Sequence, residues 1–189
     1  QIHLVFDKPM DLFGNKIDDN GVSRDRRGRP VDRSRYVMRN GEPGFEHQRD
    51  QEYIRELGRC VAESYSQNTV IDATKVVSQV MFEWLKEQSP GADLYRILRT
   101  GGPNESLPMS EAHERVDRTL RALRVLASDD RLRLDQTVSR ADATVVVDEA
   151  LAHLGTYHTR PALARKGDRL FHADRNLLYF YQNRLSGYA

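Results

Sequence analysis

Between Asp11 and Pro43 the chain shows no apolar repeat of either the helical or the strand kind, and this constrains its fold more than any other feature. The stretch is rich in Gly, Asp, Asn and Arg. Asp19-Asn20-Gly21, Arg27-Gly28-Arg29-Pro30 and Asn40-Gly41-Glu42-Pro43 are turn signals, because these residues tolerate or pre-set turn dihedrals. Irregular segments this long are uncommon in compact domains and usually serve a function or stay disordered. No tandem repeat and no low-complexity tract stands out.

Regular elements are expected on both sides of it. Ile2-His3-Leu4-Val5-Phe6 reads as a short strand stopped at Pro9, which lacks a ladder N–H. A chain opening inside a strand suggests a piece of something larger. Tyr53, Leu57, Val61 and Tyr65 recur at helical spacing and predict a helix over 48–66. Asp72 or Thr74 caps a second helix with Val77, Val80, Met81, Trp84 and Leu85 inward, ended by Ser89-Pro90-Gly91. A short helix follows at 93–99. Ser110 is expected to cap the next, with Val116, Leu120, Leu123 and Ala127 inward, and Arg131–Leu134 alternates like a strand.

Ser139 with Asp142 resembles a capping box for a helix closed by Gly155, with Val146, Val147, Ala150, Leu151 and Leu154 inward. Residues 163–172 read as a hairpin turning at Lys166-Gly167-Asp168, and Asp174 caps a last helix. The expected class is α+β and predominantly helical: a short N-terminal strand, a long loop, and a C-terminal hairpin plus helix. The expected division is 1–43, terminal strand and Arg-rich loop, and 44–189, helical domain.

Charge and cysteine content exclude several classes. Against 28 Asp+Glu stand 29 Lys+Arg, a net charge of +1, which is neither the imbalance of a disordered chain nor that of a bulk DNA binder. The basic set is lopsided, with 24 Arg and 5 Lys. Arg binds phosphate and carboxylate bidentately, so its placement matters. No apolar run reaches membrane-spanning length. A single cysteine, Cys60, excludes a disulfide framework, suits a reducing compartment and reads as a small core residue.

Tests for site chemistry mostly fail. Asp18-Asp19-Asn20-Gly21 lacks the acids that a calcium loop needs at its ends. His153 and His158 have no third ligand in sequence, so no metal site is expected. No phosphate-binding Gly loop and no nucleophile elbow occurs. Two features remain: the run Arg24, Arg26, Arg27, Arg29, Arg33, Arg35 and Arg39 interleaved with aspartates, and the aromatic, locally basic end of the chain. The first suits an acidic group or a solvated loop. The second suits a core helix or a membrane-surface or partner contact.

Three blocks resemble the C-terminal part of the bacterial glycerol-3-phosphate 1-O-acyltransferase family. The first runs from Lys8-Pro9-Met10-Asp11-Leu12-Phe13-Gly14-Asn15 through Asp18, Gly21, Asp25 and Gly28-Arg29-Pro30-Val31-Asp32 to Arg35-Tyr36-Val37. The second is Gln48-Arg49-Asp50-Gln51-Glu52-Tyr53 with Glu56-Leu57-Gly58. The third joins Tyr157-His158-Thr159-Arg160-Pro161 to Leu177–Leu185. Where family members carry Gly-x-Pro, this chain has Asp7-Lys8-Pro9.

The resemblance implies a parent enzyme that moves an acyl group from acyl-CoA or acyl carrier protein to glycerol 3-phosphate, peripheral to the cytoplasmic face of the inner membrane. In that family an HxxxxD motif supplies the general base, and none of the histidines here has Asp five residues on. The chain is therefore expected to be non-catalytic and soluble by itself, without a cofactor, and partnered by an upstream catalytic domain. Arg26, Arg29 and Arg35 are the candidate phosphate or partner contacts. The alternative is a winged-helix-like nucleic-acid or protein-interaction module, with nucleic acid the less expected partner.

Overall fold

The computed structural model describes residues 3–156, 158–183 and 185. It divides into two compact units, residues up to Thr69 and residues from Val70 on. The division falls after the first long helix, whereas the expected one falls at 43/44.

The long loop of the first unit is a ribbon of hairpins. Strands β1 (Lys16–Ile17) and β2 (Ser23–Arg24) pair antiparallel, and single bridges Met10↔Lys16 and Arg24↔Pro30 extend the ribbon at both edges. Its turns repeat every seven residues, a tandem pattern that apolar periodicity does not reveal. Asp11, Asp18 and Asp25 each accept the N–H of residues two and four further on through Oδ1, at 2.9–3.0 Å. Each aspartate N–H donates to the carbonyl four residues on, and each is followed by glycine at the third position. Gly14, Gly21 and Gly28 have φ of +81°, +77° and +77°, open to glycine at little cost. Asp32 begins a fourth copy, but Arg35 stands where glycine would, and the chain enters a 3-10 turn, Arg33–Tyr36.

Strands β3 (Met38–Arg39) and β4 (Glu42–Pro43) close a hairpin around Asn40 and Gly41, both at positive φ as a type I′ turn requires. Helix α1 (His47–Asn68) follows, and no residue of it is fully buried. Tyr53, Leu57 and Val61 are half-buried as expected, but Tyr65 is exposed. Among the described residues of this unit, the buried ones are polar: Asp11 and Ser23. Phe13 stacks on Tyr36 at 4.2 Å, and both meet Tyr53 edge-on.

The expected N-terminal strand does not form over its described part. Residues 3–9 take no regular structure, Leu4 and Phe6 are exposed, and Ile2 lies outside the described residues. The segment is held by side chains instead, with Ser64 and Asn68 donating to the Asp7 carboxylate at 2.7 and 2.8 Å. A strand needs a partner to satisfy its backbone, and none runs beside it among the described residues.

The second unit contains the apolar core. Its elements are β5 (Val70–Ile71), α2 (Ala73–Glu87), α3 (Leu94–Thr100), β6 (Ser106–Pro108), α4 (Met109–Ser128), β7 (Arg133–Leu134), α5 (Gln136–Arg140), α6 (Ala143–Leu154), β8 (Leu163–Lys166), β9 (Arg169–His172) and α7 (Arg175–Gln182). Helix α2 is central and packs on α4, α6 and α7, with Val76, Val77, Met81, Phe82 and Leu85 fully buried. Strands β6, β9 and β8 form an antiparallel sheet in that order, and β5 pairs parallel with β7. The architecture is α+β and helix-rich, as expected.

Caps explain the helix starts. Asp72, Asp93, Asp135, Asp142 and Asp174 each accept a backbone N–H of the first turn. Ser110 is not a cap: α4 starts one residue earlier, straight out of β6 behind Pro108. Ser139 does not form a capping box either, because it lies inside α5, a separate short helix capped by Asp135.

Arginines finish several segments by donating to carbonyls. Arg124 donates to Val138 O and Ala141 O at the end of α5. Arg175 does the same for Leu98 O and Arg99 O at the end of α3, and Arg169 holds Ser106. Gly101, beside Arg175, has φ +68° and ψ −160°, backbone that is essentially restricted to glycine.

Candidate functional site

The hairpin ribbon holds the arginines apart rather than focusing them. Because the turns repeat every seven residues, successive arginines occupy different positions of the repeat and meet different carboxylates. Arg24 donates to Asp18 at 2.7 Å and to Gly28 O at 3.1 Å. Arg26 reaches Glu56 on α1 at 2.7 Å, and Arg29 pairs with Asp25 at 2.7 Å. Among the described residues no ion pair reaches Arg27, Arg33, Arg35 or Arg39.

Cavities formed by the described residues of this unit include a larger and a smaller one. The larger, of about 770 Å³, has Arg26 on its wall, together with Lys8, Lys16 and the Phe13, Tyr36 and Tyr53 rings. The smaller, of about 390 Å³, brings Arg29 and Arg35 together beside Asp25, Asp32 and Tyr36. The three candidate arginines therefore do not converge: Arg29 and Arg35 share one hollow, and Arg26 faces another.

The carboxylates are held in their charged form. Backbone N–H bonds from Val22 and Arg29 are the main causes lowering Asp18 and Asp25, each reinforced by its arginine. Burial pushes the Asp11 carboxyl up, but donors outweigh it, led by the Asn15 side chain, and leave it below the usual range. None of these three aspartates is a base poised near neutrality, as acid–base catalysis requires.

Cys60 is half-buried on α1 and lines the larger cavity rather than sitting in a core. A Cβ built on Gly14 would lie 2.8 Å from its Sγ, so glycine there permits close approach as well as the turn. His158 bonds the Tyr181 hydroxyl at 2.8 Å. Among the described residues no group of three metal-ligating side chains occurs, and no helix is long and apolar enough to cross a membrane. Tyr157 and Arg184, both in the third resemblance block, lie outside the described residues.

Sequence reading missed the cavity lysines, Lys8 and Lys16, because isolated lysines carry no motif. Their signal was the seven-residue spacing of the aspartates around them. Compared with protein-family models, with curated proteins and with solved structures, the chain matches none.

Proposed function

We propose that the chain is the non-catalytic C-terminal region of a glycerol-3-phosphate 1-O-acyltransferase. In this reading the parent enzyme transfers an acyl group from acyl-CoA or acyl carrier protein to glycerol 3-phosphate in phospholipid biosynthesis, peripheral to the cytoplasmic face of the inner membrane. The observation that supports it is a coincidence of residues. Those that carry the resemblance in the first block, Asp11, Gly14, Asp18, Gly21, Asp25 and Gly28, are the turn-makers of the ribbon. Arg26 ties that block to Glu56 of the second.

The base that an attacking alcohol needs belongs, in this reading, to an upstream catalytic domain. This chain contributes a docking surface, and of the three candidate arginines Arg35 is the one that makes no ion pair among the described residues. The test is acyl transfer by the parent enzyme carrying Arg26→Ala, Arg29→Ala and Arg35→Ala. A raised KM for glycerol 3-phosphate or for the acyl donor is expected. Unchanged kinetics overturn the arginine role, and a parent protein without acyl transfer overturns the reading.

One observation favours an interaction module as second reading. From α2 the second unit runs helix, strand, helix, helix, hairpin, and its sheet order β6-β9-β8 sets the last strand between the other two. That is the connectivity of a winged helix, apart from the added α3, β7 and α5. The helix preceding the hairpin, α6, contains no Lys or Arg, and its exposed positions include Val145, Asp148 and Ala152. A helix that reads DNA needs donors for phosphates and base edges, so this surface suits protein better than nucleic acid. A DNA affinity that falls steeply with salt would reverse that preference.

A further inference from the structure

We infer that the larger cavity of the first unit binds a small organic phosphate, with its phosphate over Lys8 and Lys16 and its apolar body against the Phe13, Tyr36 and Tyr53 cluster. This does not rest on the acyltransferase reading.

The ribbon brings the cations together. Met10 pairs with Lys16, and Ile17 N–H donates to Pro9 O at 2.9 Å. Lys8 directly precedes Pro9, the residue whose carbonyl holds Ile17. Lys8, Met10, Lys16 and Asp18 all line the cavity. On its other side Lys16 is paired in register with Arg24, which also lines it. Like charges directly opposite each other on a sheet destabilise it, so such a face favours an anion.

The acids on the cavity wall are each engaged by other donors, and none of them forms an ion pair with Lys8 or Lys16. Asp7 accepts from Ser64 and Asn68, Asp18 from Arg24, and Asp25 from Arg29. Glu56 takes Arg26 and Arg59, and Glu63 takes Arg59. The charge of Lys16 helps hold Asp7 ionised, as the least of its causes, but forms no ion pair with it. Among the described residues neither Lys8 nor Lys16 makes an ion pair, although both arginines on this wall, Arg24 and Arg26, do.

The shape selects more than an inorganic ion. A volume of about 770 Å³ matches pockets that enclose small molecules. Half-buried Met10, Phe13, Tyr36 and Tyr53 offer an apolar wall beside the ammonium groups. Lysine ammonium is a compact point charge that binds phosphate without the planar geometry that guanidinium demands.

Calorimetric titration of this chain with phenyl phosphate, inorganic phosphate and phenol tests the inference. Saturable binding of phenyl phosphate is expected, at least about tenfold tighter than inorganic phosphate or phenol, since each lacks half of the contacts. Lys8→Gln with Lys16→Gln should weaken it at least about tenfold, as expected when charged hydrogen-bond donors are removed. Lys8→Arg with Lys16→Arg, which keeps both charges, should retain saturable binding and guards against a folding defect. Equal affinity for inorganic phosphate, or binding that survives the glutamine pair, overturns the inference. So does lysine-dependent binding to phosphatidylcholine vesicles doped with phosphatidate without binding of phenyl phosphate, which would make the ligand a lipid headgroup.

Discussion

The two units solve the same problem with opposite chemistry. The second buries Val76, Met81, Phe82, Leu120, Val147 and Leu170 among many others, so water expulsion holds it together. The first buries only Asp11 and Ser23 among its described residues, and relies on aspartate-capped turns, ion pairs and one aromatic cluster. The difference teaches that a segment without an apolar core can still be specified when each backbone group has an assigned partner.

The comparison is most strongly tested by Phe82→Ala. Phe82 is fully buried, so truncation should cost about 3–5 kcal/mol and release amide exchange throughout α2, α4 and α7. Equal release of the ribbon amides would break the distinction. Next, Asp11→Ala strands the N–H groups of Phe13 and Asn15 and should cost up to about 3 kcal/mol, read from exchange at Phe13–Ile17. No change there would mean that the turns follow from glycine alone.

Gly101→Ala should destabilise the second unit by about 2 kcal/mol in thermal melts, because its backbone region excludes a Cβ and Arg175 lies within 3.4 Å. A neutral result would show that α3 can end differently. The smallest effect per group is pH dependence, and it separates the units by sign and window. Burial pushes the His172 imidazole down, so the unfolded chain takes up its proton first. Stability of the second unit should therefore fall as pH drops through about 6.5.

In the first unit Asp7, Asp11, Asp18, Asp25, Asp32 and Asp50 are all held below the ordinary carboxyl range. Their contribution is full above about pH 3.9 and is lost only below it, as the folded-state carboxylates protonate. Asp72 and Glu87, lowered likewise, add a second acid loss in the other unit. Trp84, the single tryptophan, lies 6.4 Å from His172, so its emission reports the higher window. An emission change confined below pH 4 would reverse the expected order.

Legibility in the sequence followed the same line. In the second unit Val77, Val80, Met81, Trp84 and Leu85 marked α2 correctly, because burial imposes helical periodicity. Asp72 and Asp174 announced their caps. Strand β6 was missed: three residues carry too little pattern, and its pairing with β9 spans more than sixty residues of chain. In the first unit the apolar stretch before Pro9 misled, since Leu4 and Phe6 find no sheet to join among the described residues. The ribbon was invisible to a search for apolar repeats because its signal is polar. The site fared similarly: arginine density drew attention to Arg26 and Arg29, yet both are held by carboxylates.

The ribbon also makes chain length a geometric dial. Each seven-residue copy adds one strand, a step of about 4.8 Å across the sheet, and reverses the heading of the chain. Losing or gaining one copy would send the following segment off in the opposite direction. Losing or gaining two would shift it sideways by about 9.6 Å with its heading restored. Natural variation in this segment should therefore come in steps of fourteen residues, because only those steps deliver Asp32 and the 3-10 turn that follows it with the heading they have within this unit.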